Sequence, residues 1–434
     1  MSPSKTHKVE QLIIATFAFF WCFLMWFSTA AFSPSIGEHF GLSKAELGVL
    51  ASSAIWLAPV GRVVAGWAAD KFGAPKTFAT ILFVGGAVSI HSAFTDNYTV
   101  LFIERLIVAG SGVAFVVGIQ HVAQWFEDYE IGTAEGLYAG TGNVGAGAGA
   151  LLLPRLYGTD FSAAFLHLGI VAIVIGAVYL WRGVPAKSRE VAERTSKSAG
   201  VKETLYIWTR YAAIALMLAY AMSFGLEISL NAWLPGYYAE GFKQAIADLG
   251  FTGTEQIQIA AGTFAAVQSF NASLFRPFSG YMSDLWQRKG WTPFPGIAKT
   301  LPYSPRLHWL FMALILICSG MAGLTIAGYL GLLHMSVVVL AILGIFVSFG
   351  TGGTFAIVPI LFRDKPGLAT GFIGGISTTG GIVYPLIYGF ADNIHFGYLY
   401  VALAMFIPFI LFYVWAMRHE KEPAEHGIGG DWDR

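Results

Sequence analysis

Apolar residues run along the chain in blocks of roughly 20, the length that crosses a bilayer as a helix, with shorter polar stretches between them. Twelve blocks fall near 11–33, 46–69, 76–94, 99–126, 133–156 and 161–181, then 210–239, 256–283, 307–329, 333–362, 367–391 and 398–417. The longest polar stretch, 182–209, divides them six and six. The pattern predicts an all-α polytopic membrane protein: a six-helix bundle over 1–181, a cytoplasmic linker over 182–209, and a second six-helix bundle over 210–434 with a short cytoplasmic tail. The first block follows MSPSKTHKVEQ, lacks a small-residue cleavage site and is long enough to span, so it reads as a retained helix.

Composition sharpens this. Only 12% of the 434 residues are charged and 56% are hydrophobic, against about 25% charged in an average soluble protein. Too few charges remain to cover a water-soluble globule. With 26 basic and 26 acidic residues there is no cationic excess for a nucleic acid. Cys22 and Cys318 sit in apolar runs and read as packing residues, not a disulfide framework. No metal-spaced His/Cys cluster, nucleophile elbow or phosphate loop is present, so neither an enzyme nor a cofactor is expected.

Orientation follows from Lys and Arg. With the N-terminus inside, Lys44, Arg155 and Lys243 face outward and Arg62, Arg105 and Arg276 lie within helices. The other 20 of the 26 basic residues then sit on the cytoplasmic side. Both termini are expected in the cytoplasm, and the plasma (inner) membrane is the expected location.

The halves repeat one another. Arg62 and Asp70 stand eight residues apart in GRVVAGWAADKFG, and Arg276 and Asp284 stand eight apart in FRPFSGYMSDLWQRKG. GLYAGTGNVG from Gly136 matches GFIGGISTTG from Gly371, with Asn143 opposite Thr378. Duplicated six-helix halves are the pattern of a transporter with a central site. Eight helical residues rise about 12 Å. If both aspartates mark the inner edge, both arginines lie near the middle of a roughly 30 Å core, where each costs about 2.5–3.5 kcal/mol even on a mild insertion scale. Paired guanidinium forks between the halves suit an anion; structural arginines bonded to carbonyls or a carboxylate are the alternative. Asn143 also approaches the midplane, where its amide can donate to an anion or make a packing bond.

GWAADKFGAPK (66–76), with its partial repeat GYMSDLWQRKG (280–290), resembles the loop 2–3 signature of the major facilitator superfamily. GLYAGTGNVGAGAGALLLP (136–154), GTGGTFAIVPILF (350–362) and GFIGGISTTGGIVYP (371–385) resemble motifs of its nitrate/nitrite porter family. The resemblance covers most of the chain and implies the major facilitator fold, a monomer and transport of nitrate, nitrite or both. It matches Arg62 and Arg276 to the family's substrate arginines and Asn143 to the signature asparagine. Phe23, Gly112, Phe115, Tyr220, Phe224 and Phe355 match positions lining its pocket. Thr378 departs from members that carry a second asparagine there. Asp70, Arg105 and Asp284 are expected to stabilise one conformation instead of touching substrate.

Anion uptake opposes an inside-negative potential by about 2.3 kcal/mol per 100 mV. Proton coupling or exchange of nitrate for nitrite removes that cost. Glu227, in SFGLEISL, is the leading proton-coupling candidate, and His121 the second; each also has a purely structural reading. Proton-coupled nitrate uptake is the expected activity, nitrate/nitrite exchange the alternative. Transport of another small anion, such as a carboxylate, keeps the arginines but not the nitrate motifs. A membrane anion sensor is a more distant reading.

Overall fold

The computed structural model describes residues 5–126, 131–184, 210–299, 301–362 and 366–418. Most of the linker and the tail beyond Arg418 lie outside the described residues. Each of the twelve apolar blocks is helical. The stretches are α1 (Lys5–Ala31), α2 (Lys44–Ser53 and Ala58–Phe72), α3 (Ala74–Ser92), α4 (Tyr98–Ala109 and Ala114–Ala123), α5 (Ile131–Tyr157) and α6 (Phe161–Arg182). The second set is α7 (Tyr211–Tyr220 and Leu226–Gly241), α8 (Thr254–Leu274 and Arg276–Lys289), α9 (Ser304–Tyr329), α10 (Leu333–Phe355 and Val358–Leu361), α11 (Pro366–Ile376 and Gly380–Phe390) and α12 (Phe396–Arg418). Among the described residues, eight helical spans are by themselves long and apolar enough to cross a membrane. The remaining four, α3, α5, α8 and α11, are diluted by Gly, Ser, Thr and Gln.

The structure departs from twelve uninterrupted rods. Pro59 and Pro277 stand in the first turns of new helical segments after breaks in α2 and α8, where the N–H that proline lacks would have no intrahelical partner. Gly110–Val113 tightens into a 3-10 turn in α4, and Ser377–Thr379 does so in α11. Ala221–Gly225 widens into a π turn in α7. Such turns inside helices are frequent at functional sites, and Arg276, Tyr220 and Phe224 all sit at one of these breaks.

Packing is set by close backbone approach. Within the first half α1 lies along α5 and α3 along α6; within the second α9 lies along α10, and α8 against α7 and α10. Two seams join the halves, α5 with α8 and α2 with α11. Gly145 of α5 abuts α1 so closely that a methyl group there would overlap the Phe20 carbonyl and stand 3.0 Å from the Leu24 nitrogen. At the α2–α11 seam a methyl on Gly48 would stand 2.6 Å from the Gly389 Cα. Ser52 Oγ crosses this seam, donating to the Ile382 carbonyl at 2.7 Å. Lipid supplies no hydrophobic drive between helices, so association depends on such contact.

The signature glycines therefore differ in consequence. Gly145→Ala should cost about 1–3 kcal/mol through overpacking and lower the unfolding temperature in detergent. Gly136→Ala meets nothing within 4 Å and should gain roughly 0.5–1 kcal/mol in a helix interior. Equal unfolding temperatures for the two variants would contradict this packing.

Candidate functional site

Six helices bring charged, polar and aromatic side chains together at the middle of the molecule. Arg62 of α2 is 3% exposed. Its guanidinium lies 5.3 Å from the Phe115 ring of α4 and 5.6 Å from the Phe224 ring of α7. Arg276 of α8 lies over the same Phe224 ring, also at 5.6 Å. One aromatic ring thus carries both guanidinium groups, and its negative π-face favours each of them. Tyr220 stacks on Phe224 with centroids 5.1 Å apart, and Phe355 of α10 meets Tyr220 edge-on at 4.7 Å.

The two arginines are partnered differently. Arg276 Nη2 donates to both carboxylate oxygens of Glu227, at 2.7 and 2.6 Å. Asn143 faces the same guanidinium. A guanidinium only donates, so the amide oxygen is the atom turned toward it, accepting from Nη1 at 2.5 Å and Nη2 at 2.8 Å. Arg62 has no carboxylate among its hydrogen-bond partners in the described residues. Its Nη1 donates to the Gly374 carbonyl of α11 at 2.8 Å. Its Nε and Nη2, and the Nε of Arg276, are buried with no partner among the described residues. An unpartnered buried donor on a charged group is costly. On Arg62 the two orphans are adjacent and form the side-on fork of the guanidinium, which matches two oxygens of one planar anion.

Of the residues singled out from sequence, Arg62, Phe115, Asn143, Tyr220, Phe224, Glu227, Arg276 and Phe355 converge here. Phe23 and Gly112 lie in the packing around it. Phe23 joins an aromatic file on α1, 4.8 Å from Phe19 and 4.9 Å from Trp26. Gly112 leaves room for the Trp26 ring, which a methyl group would overlap. His121 is buried against the Tyr179 hydroxyl at 2.5 Å and the Val184 carbonyl at 3.2 Å. Arg105 does not meet Asp70. It donates to Thr29 Oγ1, the Met25 carbonyl and Ser28 Oγ at 2.7–2.9 Å, and lies 4.2 Å from the Phe165 ring. Asp70 instead accepts from Gln120, and Asp284 pairs with Arg306 at 2.6 Å.

Sequence reasoning missed two participants. The Gly374 carbonyl carries no side-chain signal. Tyr138, five residues before Asn143, is fully buried, stacks on Phe19 and donates to the Ala114 carbonyl at 2.8 Å. Gly118 leaves the space its hydroxyl occupies. A tyrosine inside a glycine-rich motif was the available clue.

Access is uneven. Toward the ends expected outside, Gly48 meets Gly389 and Gly262 meets the Ala150 carbonyl with no room for a methyl group. Toward the expected inner ends, Gly136 and Gly371 have nothing within 4 Å of an added methyl group. The seams are tight on the outer side of the arginines and loose on the inner side.

The Major Facilitator Superfamily profile matches residues 15–298. A nitrate/nitrite transporter of Picosynechococcus sp. is 24% identical, over 87% of this chain and 84% of its own. A probable nitrate/nitrite antiporter of Thermus thermophilus is 24% identical over 90% and 87%. High affinity nitrate transporter 2.5 of Arabidopsis thaliana is 25% identical over 89% and 75%. Among solved structures, a bacterial homolog of the lysosomal transporter Spinster, inward-facing and unoccupied, superposes with TM-score 0.69 at 14% identity, covering 97% of this chain and 99% of that one. The nucleoside transporter NupG gives the same TM-score and identity over 93% and 99%.

Glu227→Ala should strand Arg276 in a buried position and cost about 3–5 kcal/mol, whereas Glu227→Gln keeps an acceptor and should cost less. Thermal unfolding in detergent reads the difference. A Glu227→Ala protein as stable as the parent would mean the pair does not hold α7 to α8.

Proposed function

The chain belongs to the Major Facilitator Superfamily, and we propose that it carries nitrate and nitrite by alternating access, with uptake of nitrate coupled to protons. The observation that carries the anion reading is the orphaned side-on fork of Arg62, buried beside aromatic rings. A trigonal monovalent anion presents two oxygens to Nε and Nη2 in one plane. Arg276 Nε supplies a further donor from the other half, and Phe115 and Phe224 flank the guanidinium. Nitrate and nitrite share charge and approximate size, so one pocket holds either. The names of the relatives agree with this substrate class.

Coupling turns on Glu227. Its carboxylate is itself an anion held by Arg276. Substrate and carboxylate therefore compete for one guanidinium, and protonating Glu227 frees Arg276 for the incoming anion. Proton and nitrate then bind with positive linkage. Exchange is the second reading, and a charge count favours it. Two arginines and one glutamate leave the empty site at +1, and one bound anion makes it neutral. A neutral loaded carrier crosses the low-dielectric interior more readily than a charged empty one, which is the behaviour of an obligatory exchanger.

The remaining assignments follow from this reading. Residues 1–181 and 210–434 are the two moving halves, joined by the linker over 182–209, and both termini face the cytoplasm across the plasma (inner) membrane. Arg62, Arg276, Asn143, Phe115, Tyr220, Phe224 and Phe355 bound the substrate, with Phe23 and Gly112 shaping the pocket from the layer behind. His121, held by Tyr179 and Val184, serves structure. Asp70, Arg105 and Asp284 bias the conformational equilibrium through the contacts described above. The transporter works as a monomer.

Two measurements test the proposal. Arg62→Lys keeps the charge but removes the fork, and should weaken nitrate by at least about tenfold through loss of charge-assisted hydrogen bonds; unchanged affinity in a binding assay would sink the fork. In proteoliposomes, an inward proton gradient alone should drive nitrate uptake by the wild type, and Glu227→Gln should abolish that dependence. Uptake that requires internal nitrite, with no response to protons, would select exchange. No uptake under either condition by folded protein would exclude nitrate.

A further inference from the structure

Outward of the Arg276–Glu227 pair, α7 and α8 carry five buried side chains with polar atoms that have no hydrogen-bond partner among the described residues. They are Asn231 Nδ2, Trp233 Nε1, both amide atoms of Gln268, Ser269 Oγ and Ser273 Oγ. Other buried helical serines find an acceptor, in a neighbouring helix, as Ser52 and Ser89 do, or in their own. Ser229, Ser336 and Ser348 donate to Leu226, Leu333 and Ile345 carbonyls at 2.9, 2.7 and 2.8 Å. Ser269 and Ser273 make no such bond, although both are fully or nearly fully buried. Leaving a buried hydroxyl unsatisfied costs free energy, and alanine would fit the same space.

Their placement supplies the reason. Ser273 and Ser269, four residues apart, share one face of the outer segment of α8 and lie three and seven residues before Arg276, about 5 and 10 Å further outward along it. This face meets α5. Asn143 of α5 bonds Arg276, and one turn outward a methyl on Gly147 would stand 3.2 Å from Ser269 Oγ. Asn231 lies one turn outward of Glu227 on the neighbouring α7. The seam between α5 and α8 is one that must part when the halves rock to open the outer side.

We propose that Ser269 and Ser273 form an outer oxyanion station used when this seam opens. Their hydroxyl donors hold a small oxyanion weakly, since no charge is present, and pass it inward to the arginines, which hold it more strongly. When the seam closes behind the anion the donors are left dry, which is the state seen here. The proposal rests on the transport reading above.

The test is the sided apparent KM for nitrate of the Ser269→Ala/Ser273→Ala protein, in proteoliposomes sorted by orientation, with the wild type alongside. Loss of two neutral donors should raise the outer-side KM about tenfold, leave the inner-side KM unchanged, and leave the unfolding temperature equal or higher. The single Ser273→Ala variant should show the same asymmetry at smaller amplitude should the double variant fold poorly. Unchanged KM on both sides would overturn the station, as would an equal rise on both, which would assign the serines to the central site. Absence of nitrate transport by the wild type would instead remove the transport reading, and the station with it.

Discussion

Keeping two guanidinium groups away from water is the constraint around which the middle of this protein is arranged. A buried cation demands either a counter-charge or a set of acceptors, and the structure supplies them unequally. Arg276 receives both, from Glu227 and Asn143. Arg62 receives one backbone carbonyl and two aromatic faces. The asymmetry leaves one positive charge and one free fork, which is the complement of a monovalent planar anion.

The helix irregularities are part of the same arrangement. A regular α7 would carry Glu227 steadily outward from Tyr220. The π turn at Ala221–Gly225 inserts extra backbone between them and changes the register of the outer segment relative to Tyr220 and Phe224. In α8, the break at Phe275 starts a new helical segment at Arg276, with Pro277 fitting its first turn. In α11, the turn at Ser377–Thr379 lies just beyond the Gly374 carbonyl that Arg62 uses. Thr378 is spent on its own helix, donating to the Gly375 carbonyl at 2.6 Å. It therefore does not stand in for the asparagine that some relatives were expected to carry.

The glycine motifs serve geometry before chemistry. Gly145 and Gly112 admit a backbone and an indole ring respectively, and neither donates to the charged centre. Their effect on the site is indirect: α1, α4 and α5 come close enough for Phe115 and Asn143 to reach the arginines. Tight contacts on the outer side and open glycines on the inner side describe one arrangement of the two halves, and the same residues that seal the outer seam would have to separate in the other.

Length, apolar blocks and the repeated arginines were sufficient to read a twelve-helix membrane transporter and to single out its two buried arginines, because hydropathy and the expense of intramembrane charge are local properties of sequence. Arg62, Arg276, Asn143 and Glu227 were each legible on those grounds. Phe115, Tyr220, Phe224 and Phe355 were legible only through family likeness, since 35 phenylalanines in an apolar chain give no local reason to single one out. What the tertiary structure alone decided is partnership. It set Glu227 on Arg276, turned the Asn143 oxygen to the same guanidinium, separated Arg105 from Asp70, and left the Arg62 fork unmatched. Those outcomes depend on helix register and on where the helices break, and contacts between residues tens to hundreds of positions apart are not encoded in any local pattern.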